Sequence, residues 1–473
     1  MENECQKILA GIRFEWRIDF WSPFCPKKGA LIMKTHTAVA TRPMAYALLA
    51  VGLTFPGASG AASAPDHVVF PTGLFPLDVQ NVQAALNGGG TVLLKATNPT
   101  GLPTSFNFGP SDTSGGWVEF HVDAELIGER VAGAATTIEG GSYPVEANGL
   151  PLSIAVRDIV FRSSFDGALL LYDCADTVVT GVHTVHTIGR HVTPNLSVAE
   201  VIVVGFSGRV LIEDNVIEDV AADLGFGVSQ FRAAGPVVIH RNTISDTGYG
   251  TIESSFNANF ATGTPATVSI TENRLRPGPA PGAFGAGIEI NGEGAYYVAR
   301  NDILIESPNG IGVYALGAPD FGIAAMVGPV IEKNKIQMQP PIDLGPVFAD
   351  GIDLVGTVSQ AYVGQNAIEG RSFSALGAYN VNDSSDLAFN AYIGNQIATF
   401  EPTVAHIVLD SGAHDNVVTG FSGSVLDFGV NNHVTGFNAN GVGVGALISE
   451  AKRRRNEANQ ATMGLLRRHG AMP

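Results

Sequence analysis

The chain repeats one short motif at nearly regular intervals. The pattern aliphatic-x-x-Asn-x-aliphatic places its asparagine at Asn215, Asn242, Asn273, Asn301, Asn334 and Asn366. These asparagines lie 27, 31, 28, 33 and 32 residues apart, and weaker copies follow at Asn395, Asn416 and Asn432. A period of this length is typical of a chain that stacks one structural unit on the next.

Residue types inside the repeat decide between stacked helices and stacked strands. Each unit is rich in Val and Ile, alternates over only four to six residues, and has Gly or Asn at its corners, which favours strands. A second run in each repeat begins with Gly, as in Gly287-Ile288-Glu289-Ile290. The sequence therefore predicts an all-β, right-handed parallel β-helix solenoid. Each coil would have at least two strands, with coils stacked about 4.8 Å apart.

The repeated asparagines have two predicted roles. Asparagine tolerates the left-handed backbone region that a sharp corner requires. Stacked one above another, asparagine side chains could also form a hydrogen-bonded amide ladder.

Both ends of the solenoid are predicted to carry a helix. Residues Asp78 to Leu86 have a helical apolar period with Asp78 as N-cap, and Gly88-Gly89-Gly90 stops them, so we expect an N-terminal capping helix. Residues Leu447 to Arg468 form a basic, weakly amphipathic helix. A covering or frayed tail is the favoured role of this helix, and a membrane-surface or partner-binding role is the alternative.

The N-terminus has the pattern of an export signal. Lys34 and Arg42 precede the apolar run 44–55, which is too short to span a bilayer, and Ala62-Ser63-Ala64 offers a cleavage site. Met33 would then be the true start. We predict a leader and signal peptide at 1–64, a β-helix domain at 65–445 and a basic tail at 446–473, in a protein that is secreted, periplasmic or on the cell surface.

Charge and cysteine content exclude some functions. Residues 65–449 carry 14 Lys+Arg and 38 Asp+Glu, a net charge of −24. This acidity argues against nucleic acid as a partner and permits Ca²⁺. Without the leader Cys174 stands alone, so no disulfide framework is expected and Cys174 is predicted to be a small buried residue.

Three features together resemble a known superfamily. They are the helix followed by Gly-Gly-Thr-Val, the segment Thr136-Thr137-Ile138-Glu139-Gly140-Gly141, and the Asn-x-Ile repeats. Over roughly residues 75 to 440 the chain resembles the right-handed parallel β-helix superfamily typified by pectate lyases. The resemblance implies the fold, but members include lyases, hydrolases, uronate epimerases, tailspikes and adhesins, and fold alone does not choose among them. No catalytic signature of pectate lyases or polygalacturonases carries over.

Aligning the second strands on their inward aliphatic residues gives a column of candidate site residues. Glu289, between Ile288 and Ile290, has as equivalents Ser229, Glu253, Gly312 and Asp353. Glu253 and Glu289 fall in neighbouring coils, where one shared proton would divide them into an acid and a base. With Asp353 they could instead bind Ca²⁺ for a lyase. An ordinary solvated acidic face is the remaining interpretation.

Histidines and arginines offer a second candidate cluster. Nine arginines lie between Arg157 and Arg300 and would suit uronate binding or β-elimination. We predict His240 as a catalytic residue near the carboxylate pair. His183, His186 and His191 have no recognised metal-ligand spacing, so polar surface roles are favoured for them.

Aromatic residues follow the second strands in four coils. Phe206, Phe231, Phe256 and Tyr314 could form a sugar-stacking platform along the groove or an internal stack that stabilises the solenoid. The high share of Phe among the aromatic residues favours the internal stack.

These features predict an exported carbohydrate-active protein. It would be a polysaccharide lyase, hydrolase or epimerase working in the groove of the β-helix, with polysaccharide as its partner. The alternative is a non-catalytic surface, adhesion or carbohydrate-binding protein. A solenoid with weak caps could also form oligomers.

Overall fold

The computed structural model describes residues 64–193, 196–259, 261–278, 285–340, 349–397, 399–435 and 444–468. The predicted leader lies outside the described residues apart from Ala64. Residues 65–473 form one compact unit.

Most strands of the described chain belong to three long sheets. Among the described residues sheet 1 contains, in stacking order, the 14 strands His67–Val69, Gly90–Leu94, Ala124–Gly128, Ser153–Arg157, Asp176–Thr180, Arg209–Glu213, Val237–His240, Thr267–Thr271, Ala295–Ala299, Val330–Glu332, Tyr362–Gly364, Ala391–Ile393, Val417–Thr419 and His433–Thr435. Sheet 2, counted over the same residues, contains the 11 strands Phe106–Asn107, Thr137–Glu139, Val160–Arg162, His183–Thr187, Val216–Val220, Thr243–Thr247, Arg274–Pro277, Asp302–Ile305, Lys335–Met338, Ala367–Ser372 and Phe400–Pro402.

Sheet 3 is parallel along its main path and has one antiparallel addition. The main path runs through Val118–Phe120, Val145–Ala147, Leu169–Tyr172, Leu196–Gly205, Leu224–Phe231, Gly250–Ser255, Ala286–Asn291, Ile311–Gly317, Asp350–Gly356, Ser374–Tyr379, Ile407–Leu409 and Val425–Asp427. The addition is Arg190–Thr193, which pairs antiparallel with Leu196–Gly205.

Short elements complete the described structure. The two α-helices are α1, Leu77–Leu86, and α2, Val444–Arg468, and a 3-10 turn spans Pro319–Phe321. Two-stranded pairs are formed by Arg130–Val131 with Ala134–Ala135, Ala258–Asn259 with Thr264–Pro265, Met326–Val327 with Val358–Ser359, and Leu387–Ala388 with Ala413–His414.

The order in which the chain visits the sheets defines the architecture. Ser153–Arg157 in sheet 1 is followed by Val160–Arg162 in sheet 2 and Leu169–Tyr172 in sheet 3, and the chain then returns to sheet 1. Each coil is therefore three strands stacked in parallel on the previous coil, and the predicted parallel β-helix is confirmed. Val and Ile side chains from all three sheets fill the interior as one continuous core.

The predicted asparagine ladder is present at the corner between sheets 1 and 2. Each asparagine from Asn215 to Asn366 donates its Nδ2 to the Oδ1 of the next rung at 2.9–3.0 Å, and Asn395 ends the series. Each rung from Asn242 to Asn395 also accepts the backbone N–H of the rung before it. The side chains are almost wholly buried, so this ladder satisfies backbone and side-chain groups that would otherwise be costly to bury.

The predicted backbone role of these asparagines was wrong. The left-handed residue is the one before the asparagine, for example Asp214 (φ 53°), Arg241 (φ 51°) and Glu272 (φ 59°). The asparagine follows the corner and points inward, while the left-handed residue points outward. Two of these outward residues, Arg241 and Asp214, form a two-bond ion pair between coils.

Asn416 and Asn432 belong to a different ladder from the one that the repeat predicts. The backbone N–H of Asn390 donates to Asn416 Oδ1 at 2.7 Å, and Asn416 Nδ2 donates to Asn432 Oδ1 at 3.0 Å. These three residues precede strands of sheet 1 instead of following them. In the last coils the ladder therefore lies where the sheet 1 strands begin, whereas the first ladder lies where they end.

Helix α1 covers the first coil as predicted, but Asp78 is not its N-cap. Asp78 lies inside the first turn and is fully buried. Its carboxylate accepts hydrogen bonds from the backbone N–H groups of Thr72, Gly73 and Asn107. Asp78 therefore joins the helix to the segment before it and to the first strand of sheet 2.

Helix α2 packs along the outer face of sheet 1. Leu465 joins an apolar cluster with Val178, Leu211 and Val238. Further along the helix, Ala451 and Ala458 pack with Tyr297, Ala299, Val330 and Tyr362. The predicted covering role is therefore correct for the described helix, although it covers a side of the solenoid and not its end.

A buried ion pair fixes helix α2 to sheet 1. Arg455 donates to both oxygens of Glu332, whose side chain is fully buried, and Tyr297 Oη donates to the same carboxylate at 3.0 Å. Thr462 Oγ1 also lies 3.1 Å from Ser269 Oγ. Within the described residues, no helix combines the length and apolar character needed to cross a membrane.

We predict that Asn273→Ala lowers the free energy of unfolding by about 3 kcal/mol, because it removes four hydrogen bonds and leaves buried partners unsatisfied. The lost bonds join Asn273 to Asn242, Asn301 and Ile239. Urea denaturation would measure the change. Asn148→Ala, at an exposed position, should change stability by less than about 0.5 kcal/mol, and equal costs for both variants would contradict the ladder's role.

We predict that Arg455→Ala releases helix α2, because Glu332 would otherwise stay buried without its cation, at a cost of about 3 kcal/mol. Hydrogen exchange at residues 451–465 should accelerate, while exchange in the sheet 1 strand Thr267–Thr271 stays slow. Arg453→Ala is the matched control, since Arg453 makes an exposed pair with Glu457 four residues on. Unchanged exchange in Arg455→Ala would show that the apolar contacts alone hold the helix.

Candidate functional site

A continuous column of side chains runs along the outer face of sheet 3. Its members lie opposite one another in successive coils and alternate with inward residues such as Ile252, Ile288 and Ile290. In stacking order this outer column is Glu119, Glu146, Leu170, Val203, Ser229, Glu253, Glu289, Tyr314, Asp353 and Gly377. Within this column two pairs of carboxylates lie on neighbouring coils, Glu119 with Glu146 and Glu253 with Glu289.

Glu253 and Glu289 are register partners, as the sequence alignment predicts. Asn291 Nδ2 lies 3.0 Å from Glu289 Oε1, 3.4 Å from Glu253 Oε1 and 3.0 Å from Ser255 Oγ. Ser255 Oγ donates to Glu253 Oε1 at 2.9 Å. The two Oε1 atoms are therefore no more than about 6.4 Å apart.

The pair is buried, and one acceptor beside it has no partner. Glu253 is 5% exposed and Glu289 is 1% exposed. Within the described residues Asn291 Oδ1 is buried and accepts no hydrogen bond. Because Asn291 turns its Nδ2 toward the carboxylates, a proton donor would have to approach this oxygen from the side away from them.

The predicted equivalence of Gly312 was wrong, and Asp353 is not brought to the pair. Register places Tyr314 between Glu289 and Asp353, because the inward residue after Val313 is the small Ala315 and the aliphatic alignment slipped by two. Asp353 leans the other way, since a Cβ added at Gly377 would lie 2.7 Å from its Oδ1. The predicted three-carboxylate calcium site therefore does not form.

Described residues outside this column do not supply a metal site either. Within the described ranges, no group of three or more His, Cys, Asp or Glu side chains is arranged to hold a metal ion. A cation at the pair would depend on Glu253 and Glu289, because Asn291 turns its Nδ2 toward both carboxylates.

The predicted placement of His240 beside the carboxylate pair was also wrong. His240 ends a strand of sheet 1, opposite Glu213 in the preceding coil, whereas the pair lies on sheet 3. Its Nδ1 lies 2.9 Å from Thr271 Oγ1, and burial, followed by the charge of Arg241, lowers its pKa. The repeat assigns the strand of His240 to a coil, but it does not show which of the three sheets that strand joins.

The other histidines and Cys174 match their predictions. His183 and His186 lie on sheet 2 and contact Glu218 at 3.1 Å and Asp219 at 2.9 Å, so they do not converge on one site. Cys174 is buried, and burial raises its pKa to about 11.

Sequence reasoning missed a second carboxylate pair at the start of the column. Glu119 and Glu146 are register partners on the first two coils of sheet 3, and both are partly exposed. Burial and, second, the charge of Glu119 raise the pKa of Glu146 to about 7. The alternation in Val118-Glu119-Phe120 and Val145-Glu146-Ala147 would have shown both residues as outward.

The prediction of an internal aromatic stack was wrong. Phe206 is 44% exposed and Phe256 is partly exposed. Phe231 and Tyr314 are covered, but they lie on the outer side of their strands, since the inward positions belong to residues such as Val228 and Val313. These rings therefore border the outer face of sheet 3.

The chain is accordingly a parallel β-helix protein whose candidate site is the outer face of sheet 3. No protein-family model matches the chain, and no curated protein sequence matches it. The A-module of mannuronan C-5 epimerase AlgE6 from Azotobacter vinelandii is similar at 15% identity and a TM-score of 0.37, over 77% of this chain and 95% of that one. The Dettilon tailspike protein gp208 is similar at 12% identity and a TM-score of 0.34, over 77% of this chain and 68% of that one. Likeness at these scores leaves substrate and chemistry open.

We predict that Glu119→Gln lowers the pKa of Glu146, because one of its two causes, the neighbouring negative charge, is removed. A carbon-13 titration of glutamate-labelled protein would follow the Glu146 carboxyl, which should titrate near pH 7 in the parent protein. Glu139→Gln, on sheet 2, should leave that titration unchanged. If neither substitution changed the pKa of Glu146, burial alone would account for the raised pKa.

Proposed function

We propose that this protein is a carbohydrate-active enzyme that binds an extended polysaccharide along the outer face of sheet 3. Glu253 and Glu289 would be its acid and base. The observation that carries the proposal is the pair of carboxylates on neighbouring coils, joined by the amide of Asn291 and by Ser255. We also infer export, from the predicted leader at 1–64.

Proton chemistry follows from the closeness of the pair. Two carboxylates whose Oε1 atoms lie within about 6.4 Å of each other could act on one bound sugar, one as acid and the other as base. One carboxyl group could protonate a glycosidic oxygen while the other attacks the anomeric carbon or activates a water molecule. The same base could remove a proton beside a uronate carboxylate, which is the step shared by lyases and epimerases.

A cation would alter which of these reactions runs. The donor set fits a hard cation only in part, because Glu253 and Glu289 supply oxygen ligands while Asn291 turns its Nδ2 toward them. Bound Ca²⁺ would neutralise the carboxylate of a uronate sugar, while the protein's own residues would orient the sugar and hold the transferred proton. Calcium dependence is therefore part of the test.

The burial of Glu253 and Glu289 favours a second candidate function. Substrate can touch carboxylates that are 5% and 1% exposed only if the groups covering them move. A non-catalytic surface, adhesion or carbohydrate-binding protein would need no such movement. Within the enzyme hypothesis, the partly exposed pair Glu119 and Glu146 is the alternative site.

We predict that the protein from residue 65 degrades or modifies at least one polymer in a panel of uronate and neutral polysaccharides. Ultraviolet absorbance would report elimination, reducing ends would report hydrolysis, and proton exchange from deuterated water would report epimerisation, each with and without Ca²⁺. Glu253→Gln and Glu289→Gln should each lower the rate by at least about a hundredfold. Glu218→Gln, an exposed residue on sheet 2, is the control and should keep full activity.

The outcomes separate three hypotheses: an enzyme that uses Glu253 and Glu289, an enzyme that uses Glu119 and Glu146, and a non-catalytic binding protein. Loss of activity in Glu146→Gln but not in Glu253→Gln would move the catalytic site to the first two coils. Silence in every assay, with measurable binding of one polymer, would overturn the enzyme hypothesis in favour of the binding protein.

A further inference from the structure

A row of unusual residues lies at the corner where sheet 3 ends. The strands that end at Gly205, Phe231 and Ser255 are each followed by a residue with left-handed backbone. These residues are Phe206 (φ 54°), Arg232 (φ 56°) and Phe256 (φ 56°). We call these three residues, together with Tyr172 and Phe231, the aromatic ridge.

The fold requires left-handed backbone at this corner, but it does not require phenylalanine. The coil that contains Tyr172 places Asp173 (φ 59°) there, and the coil after Phe256 places Gly292 (φ 63°). Glycine and aspartate enter this region more readily than a bulky aromatic residue, for which it is an outlier. Phe206 combines the strained backbone with a side chain that is 44% exposed, so neither local conformation nor burial accounts for it.

Neighbouring rings hold Phe206 in place. Its ring centroid lies 5.6 Å from Phe231 and 6.3 Å from Tyr172, both nearly perpendicular, and Tyr172 and Phe231 are 5.8 Å apart. Gly205 makes this possible, because a Cβ there would lie 2.6 Å from Phe231 and 2.9 Å from Tyr172. The Arg232 guanidinium lies 5.2 Å from the centre of the Phe206 ring. The exposed ring is thus pre-positioned by its contacts.

The ridge continues along the solenoid axis toward the carboxylate pair. The Phe256 ring lies against the next coil, since a Cβ added at Gly292 would be 3.0 Å from its Cδ1. Gly292 directly follows Asn291, the residue that joins Glu253 and Glu289. Planar groups therefore follow one another at one per coil, about 4.8 Å apart, and lead to the proposed catalytic residues.

We propose that the aromatic ridge is a stacking platform for the sugar rings of an extended polysaccharide lying parallel to the solenoid axis. This inference rests on the proposed function, which places the polysaccharide along the outer face of sheet 3. Sugar rings present apolar C–H faces with hydroxyl groups at their edges, and the ridge offers the exposed ring of Phe206 and the partly exposed rings of Tyr172 and Phe256, with the charged Asp173 and Arg232 beside them. A protein partner would instead favour a continuous apolar patch.

The position of Phe206 gives a test in which binding changes much more than stability. Phe206→Asn relieves the left-handed strain but also removes the contacts with Phe231, Tyr172 and Arg232, so the midpoint of thermal unfolding should change by less than about 2 °C. The substitution should weaken polysaccharide binding by about tenfold, the loss expected for one well-packed aromatic contact. Binding would be measured by affinity electrophoresis in gels that contain polygalacturonate, alginate or hydroxyethylcellulose.

Phe389→Asn is the matched control. Phe389 has the same backbone strain (φ 57°) and is 52% exposed, but it precedes a strand of sheet 1 and contacts His414. This variant should likewise change the midpoint of thermal unfolding by less than about 2 °C and keep the binding of the parent protein. Equal binding by Phe206→Asn and Phe389→Asn would overturn the ridge.

Glu253→Gln distinguishes failure of this inference from failure of the proposed function. An inactive Glu253→Gln that is still retarded in the gels, beside a Phe206→Asn that is not, would support both. Parent protein that is active but is retarded equally with and without Phe206 would overturn the ridge alone. Parent protein that no gel retards and no assay finds active would overturn both.

Discussion

Register between coils is the constraint on which this structure depends. A parallel stack can slip by two residues without exposing its core, because alternation inside each strand is preserved. The asparagine ladder removes this freedom, since each rung accepts both the backbone N–H and the Nδ2 of the rung before it. Loops of very different length can then connect the sheets, because every coil is reset at the next asparagine.

Fixed register converts residues far apart in sequence into columns. Glu253 and Glu289 become neighbours across 36 residues for this reason, and so do Glu119 and Glu146. The same register gives each sheet an outer face of its own character. Val178, Leu211 and Val238 make the outer face of sheet 1 apolar, and helix α2 covers it, whereas sheet 3 carries carboxylates and amides outward.

Sheet 3 combines features that cost stability with features that supply chemistry. Buried carboxylates and a phenylalanine in left-handed backbone are both unfavourable for folding, while the ladder and the continuous core tolerate such local costs. The partly exposed pair Glu119 and Glu146 lies in the coils before the aromatic ridge, whereas Glu253 of the buried pair shares its coil with the last ridge residue, Phe256. A polymer along this face would therefore meet both pairs, and the two pairs differ mainly in access.

The sequence alone determined the coil, its period and the amide ladder, because these depend on residue types that recur in every repeat. It also placed Glu253 beside Glu289, since large inward aliphatic residues mark both strands. The alignment failed where the inward residue was small, as at Ala315, so that Gly312 was aligned with Glu289 in place of Tyr314. Only the tertiary structure decided which sheet holds His240, which direction Asp353 leans and which face helix α2 covers. Those properties depend on how three sheets close around one core, and alternation within a single strand carries no information about which sheet that strand will join.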